Sequence, residues 1–118
     1  MKNLKILSII IVFAISSCVQ KTINQTVTLY LDVSGQKNIE TVGVRGQGKP
    51  LSWTEDLKLI EIKKDSIYKV TVNGNTGRLC TEIKFTINGN FEFQDQDNRK
   101  VYFDKSGTTI FKAKFNVR

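Results

Sequence analysis

Histidine is absent from all 118 residues, which removes the commonest general base and the commonest transition-metal ligand. A histidine-dependent hydrolase is excluded at once. One proline and eight glycines exclude collagen-like and proline-rich filaments. No CxxC, GxGxxG or GxSxG occurs, so the familiar redox, dinucleotide and serine-hydrolase signatures are missing. The apolar run from Ile6 to Ile15 is far short of the roughly 20 residues that a membrane-spanning helix needs. What remains is 40% hydrophobic and 25% charged, an ordinary composition for one small globular domain.

The apolar run has a different use. Lys2 and Lys5 precede it, and Ser16 and Ser17 follow it, the anatomy of a secretory signal. Ile15-Ser16-Ser17-Cys18 resembles the bacterial lipobox, a branched apolar residue and two small ones before cysteine. That resemblance implies cleavage ahead of Cys18 and lipidation of its thiol. Residues 1–17 are thus expected to be a lipoprotein signal peptide. Residues 18–25 would be the lipidated cysteine and a polar tether, and residues 26–118 the domain. The protein is expected to be exported to a bacterial cell envelope and lipid-anchored, at the outer membrane or cell surface rather than the inner membrane.

The formal net charge is +7, a balance that nucleic acid or an anionic surface can select. Here the cations are scattered, with Lys63-Lys64 and Arg99-Lys100 the only adjacent pairs. The charge reads as solubility and weak attraction to anionic surfaces, without nucleic acid as a partner. With Cys18 lipidated, Cys80 has no disulfide partner within the chain. It lies in the strand-like run Leu79 to Ile87, where cysteine packs as a small apolar side chain.

From Thr26 onward apolar residues recur at period two, the pattern of half-buried strands. Val27, Leu29, Leu31 and Val33 alternate with Thr28, Tyr30 and Asp32. Val42 and Val44, the run Leu57 to Ile62, and Val70 and Val72 follow. Ile83, Phe85 and Ile87 make another set, as do Phe111, Ala113, Phe115 and Val117. Asn88-Gly89 reads as a two-residue hairpin turn. Ser34-Gly35, Asn73 to Gly77 and Ser106-Gly107 read as loops. The fold class is therefore all-β, an antiparallel sandwich of seven to eight strands.

Catalytic constellations are poor. Asp95 and Asp97 form a carboxylate pair two residues apart, but glycoside hydrolysis needs acids flanking a sugar across a cleft. Their loop also lacks the central glycine and terminal glutamate of a calcium loop. No enzyme, cofactor or metal site is expected. Trp53, the only tryptophan, stands in Lys49-Pro50-Leu51-Ser52-Trp53-Thr54, a loop rather than an apolar run. It reads either as core, on account of its large apolar area, or as a platform for the C–H face of a sugar ring.

The order of motifs along the chain favours the platform. Val42-Gly43-Val44-Arg45-Gly46 comes first, then Pro50-Leu51-Ser52-Trp53, then Ile67-Tyr68-Lys69-Val70-Thr71-Val72. Thr81-Glu82-Ile83-Lys84-Phe85, Phe91-Glu92-Phe93 and Asp97-Asn98-Arg99 complete the series. This series, over residues 26–116, resembles the starch-binding family of carbohydrate-binding modules appended to amylases and glucoamylases. The resemblance implies an immunoglobulin-like β-sandwich with a shallow α-glucan site and no catalysis. Carried over by position, Trp53 is the first ring, Lys84 the lysine, Phe93 the second ring and Asn98 the asparagine. Phe93 replaces the usual tryptophan, and as a hairpin phenylalanine it also reads as core. The loops that match the family's second site, Ser34 to Asn38 and Lys63 to Asp65, hold no aromatic. One weak starch-binding site is expected, with a separate glycoside hydrolase or transporter as a further partner. The competing expectation is a structural or protein-interaction lipoprotein with the same sandwich and no glucan.

Overall fold

The computed structural model describes residues 21–118; residues 1–17, expected to be a signal peptide, and Cys18 lie outside the described residues. Nine strands form two sheets, and no helix occurs among the described residues. The strands are β1 (Ile23–Asp32), β2 (Val42–Gly46), β3 (Leu57–Lys58), β4 (Ile60–Lys63) and β5 (Ile67–Thr76). They continue with β6 (Cys80–Ile87), β7 (Asn90–Phe91), β8 (Arg99–Tyr102) and β9 (Thr108–Lys114). One sheet runs β4-β5-β1-β9, and the other runs β3-β2-β6-β7 with β8 also paired to β6. All-β architecture in two sheets is consistent with a sandwich.

The alternation read from the sequence is the packing. Val27, Leu29, Leu31 and Val33 are buried on one side of β1 and its extension. They meet Val42, Val44, Ile83, Phe85 and Ile87 from the other sheet in a single core. Thr28 and Tyr30 face outward from β1 and are half-buried. Asn88 and Gly89 both have positive φ and join β6 to β7 at the pair Ile87–Asn90. This is the predicted hairpin.

Three details differ from expectation. β1 begins at Ile23, inside the stretch assigned to the tether, because it pairs backbone to backbone with β5 from Thr76 inward. For the same reason Asn73 to Thr76 is strand rather than loop. The run Leu57 to Ile62 is not one strand. Its first half pairs with β2 and its second with β5, and the buried Leu59 marks the crossing between sheets. The strand number is accordingly nine, two of them only two residues long.

The ninth strand adds a feature that alternation cannot reveal. β9 lies parallel to β1, from Thr26 beside Thr108 to Asp32 beside Lys114. All other pairings between strands are antiparallel.

Candidate carbohydrate site

Inward Val44 and Phe85 are partners in the β2–β6 ladder, and their neighbours Arg45 and Lys84 are partners facing outward. Phe91, opposite Thr86 on β7, stands on the same outer face. The Arg45 guanidinium lies 5.0 Å from the Phe91 ring centre and the Lys84 ammonium 5.8 Å from it. Two cations thus share one aromatic ring. Arg45 Nε donates to Asp56 Oδ1 at 2.7 Å, and its NH1 group donates to the Trp53 carbonyl at 3.4 Å. Arg45 therefore ties the tryptophan loop to the sheet.

Trp53 is 38% exposed, too open for a core tryptophan. Its loop is further braced by Ser52 Oγ, which accepts from the Thr54 amide at 3.1 Å. Lys84 is half-buried, and its ammonium donates to the Phe93 carbonyl at 3.1 Å. Asn98 is half-buried and borders a shallow hollow with Glu82, Asp97 and Lys100.

Of the two readings of Phe93, second sugar-facing ring or core phenylalanine, its burial matches the core. Phe93 is only 6% exposed and adopts φ of 48°. The Arg99 guanidinium lies 4.6 Å from the ring centre and that of Arg118 3.9 Å from it. The left-handed backbone breaks the alternation that would turn Phe93 to the outer face. Its amide donates to Asn116 Oδ1 at 2.8 Å, which fixes that conformation against the C-terminal segment. Arg45, the ladder partner of Lys84, reaches the Trp53 carbonyl, and Phe93 offers Lys84 a carbonyl with its own ring buried.

Beneath this face lies a buried ion pair. Arg99 donates from Nε to Glu92 Oε2 at 2.7 Å and from NH2 to Glu92 Oε1 at 2.9 Å. Glu92 also accepts from the amides of Phe85 and Asn116. The same Arg99 NH2 group also lies 2.8 Å from the carbonyls of Lys114 and Val117. Such a pair is tolerable in an interior because both carboxylate oxygens, and the guanidinium through Nε and NH2, have partners. The segment Phe91-Glu92-Phe93 to Arg99 thus has a structural duty, clamping the hairpin to the chain's end.

Sequence reasoning missed Arg45 and Phe91. The signal was available for the first: the alternation that turns Lys84 outward beside Phe85 also turns Arg45 outward beside Val44. Asp95 and Asp97 are both exposed in their loop. Among the described residues no three cysteine, aspartate or glutamate side chains gather in a metal-holding group. No protein-family model matches the chain, and no match is found among curated proteins.

Proposed function

We propose that this chain is a non-catalytic α-glucan-binding module of the starch-binding, immunoglobulin-like sandwich type. It would be held at a bacterial envelope by lipid on Cys18. The observation that carries the reading is Trp53, the sole tryptophan, left exposed on a loop that Arg45 fastens beside Lys84. A flat, exposed ring held by its own loop suits the C–H face of a sugar ring, which stacks on it. With one exposed ring in an open surface, affinity falls in the micromolar to millimolar range.

The experiment is electrophoretic retardation in a native gel cast with soluble starch, paired with urea unfolding, for wild type and Trp53→Ala. The reading requires lost retardation with a stability, from urea unfolding, changed by no more than about 0.5 kcal/mol, the ordinary size of a surface effect. Unchanged retardation refutes it. A specific observation favours the second reading, a ligand-free structural or protein-interaction lipoprotein: the ring that would complete the pair, Phe93, is buried under Arg118. Wild type that runs unretarded in starch would establish that alternative.

A further inference from the structure

Between the two sheets, at the end where β1 begins and β5 finishes, the sandwich opens into a cleft of about 1190 Å³. Ligand pockets commonly measure about 300–1,000 Å³, so the space is adequate for a bound molecule. Its walls come from β1, β5, β6 and the loop between β2 and β3. Three inward positions on β1 grade its chemistry, because Gln25, Val27 and Leu29 all line it. Val27, Leu29 and Ile83 form a floor already closed to solvent, and the accessible apolar walls are Val72, Phe103, Pro50 and Trp53.

The polar end has an unmet need. Gln25 is only 9% exposed, and its Oε1 is buried with no hydrogen-bond partner among the described residues. A buried acceptor left unpaired is costly, so such atoms generally mark a missing donor. Gln25 sits opposite Gly74 in the β1–β5 ladder. Gly74 in turn lies so close to the loop that a Cβ there would be 2.8 Å from the Lys49 carbonyl. Gln25 and Lys49 therefore share one end of the cleft. The charged residues lining the cleft are Lys49 and Arg78, both exposed, and no acidic residue lines it.

We propose that this cleft, which Trp53 also lines, binds a hydroxy fatty acid, a ligand other than glucan. The carboxylate pairs with Lys49 and Arg78 at the mouth. A hydroxyl near that carboxylate donates to Gln25 Oε1, which an ionised acid by itself cannot do. The aliphatic tail lies along Val72, Phe103 and Trp53, where its burial drives binding.

Two reporters are local to the cleft, because both Trp53 and Cys80 line it. The test is titration of the full chain, below micelle-forming concentrations, with 3-hydroxydodecanoate, dodecanoate, dodecanol and dodecyltrimethylammonium. Trp53 fluorescence and peptide-resolved alkylation of Cys80 are the readouts, which separates cleft binding from uptake by the apolar run Ile6 to Ile15. The expected result is saturable protection of Cys80, with 3-hydroxydodecanoate about fivefold tighter than dodecanoate, the scale of one neutral hydrogen bond. Gln25→Leu should abolish that difference while still binding dodecanoate. Lys49→Glu with Arg78→Glu should weaken both carboxylates about tenfold and leave dodecanol unchanged. Equal binding of the cationic amphiphile, indifference to the hydroxyl, or Cys80 protection by maltoheptaose instead would each overturn the proposal.

Discussion

Arg118 lays its guanidinium 3.9 Å from the centre of the Phe93 ring, while its NH2 group donates to the Asp97 carbonyl at 2.7 Å. The last residue of the chain thereby covers the ring that the motif order assigns to the sugar. An exposed cation over a ring contributes about 0.5–1 kcal/mol, whereas truncating a packed phenylalanine costs about 3–5 kcal/mol. Phe93→Ala should therefore lower the urea midpoint strongly and Arg118→Ala only slightly. If Phe93→Ala unfolds at the wild-type midpoint, the ring is not part of the packing.

The Glu92–Arg99 pair should be intolerant of losing either partner. Glu92→Ala leaves Arg99 buried without its carboxylate and orphans the Phe85 and Asn116 amides. Breaking a buried pair in this way costs about 3–5 kcal/mol. Arg99→Lys should rescue little, because an ammonium cannot reproduce the two-pronged contact and the two carbonyl bonds together. Urea unfolding of both variants measures this, and a loss below about 1 kcal/mol for Glu92→Ala would contradict it.

Acid should weaken the fold through two turn aspartates. The Ser34 hydroxyl and amide hold the Asp32 carboxyl below its ordinary 3.8, with attraction from Lys114 and Lys63 added. Asp104 is held below 3.8 by the hydroxyl and amide of Ser106. A carboxyl depressed in the folded state binds protons first when unfolded. Its stabilising contribution is therefore complete above 3.8 and disappears as pH falls through the lower folded value. The urea midpoint should fall below about pH 4. Asp32→Asn with Asp104→Asn should start lower at neutral pH and lose less on acidification. An equally steep acid limb in that double variant would point to other carboxylates.

Gly43 is the position where the outer face has no room. A Cβ there would lie 2.8 Å from Thr86 Oγ1 and 2.9 Å from Asp56 Cβ. Asp56 is the anchor of Arg45, which in turn holds the tryptophan loop. Gly43→Ala should cost about 1–3 kcal/mol by overpacking. If the glucan reading holds, it should also weaken starch retardation more than that loss of folded protein explains. Retardation that follows the folded fraction alone would separate Arg45 from the site.

The inner faces of β1 and β6 were legible because burial on one side of a strand imprints period two on the sequence. The Asn88–Gly89 turn was legible because few residue pairs accept positive φ twice. Leu57 to Ile62 misled because alternation records which residues point inward, and nothing about which sheet receives them. Asn73 to Thr76 misled because β1 pairs with its backbone, whatever the side chains. At the site, Trp53 in a polar loop and Lys84 on the outer face were both readable. Phe93 was readable only as one of two alternatives, and the choice of the core depends on Asn116 and Arg118, far along the chain. Gln25, in the stretch read as tether, gave no signal until β1 had placed it between the sheets.

The parallel seating of β9 beside β1 sets the order in which this chain can assemble. β1 can join β5 as soon as β5 exists, but its other edge waits until nearly the last residue. Until then that edge presents a row of unpaired amides and carbonyls, a template for another chain. Closure across such a long loop is slow, since its entropy is lost before any contact compensates. A chain cut short before Thr108 would retain most of its hydrophobic core and still expose β1. Premature termination should therefore yield aggregates rather than a smaller soluble domain.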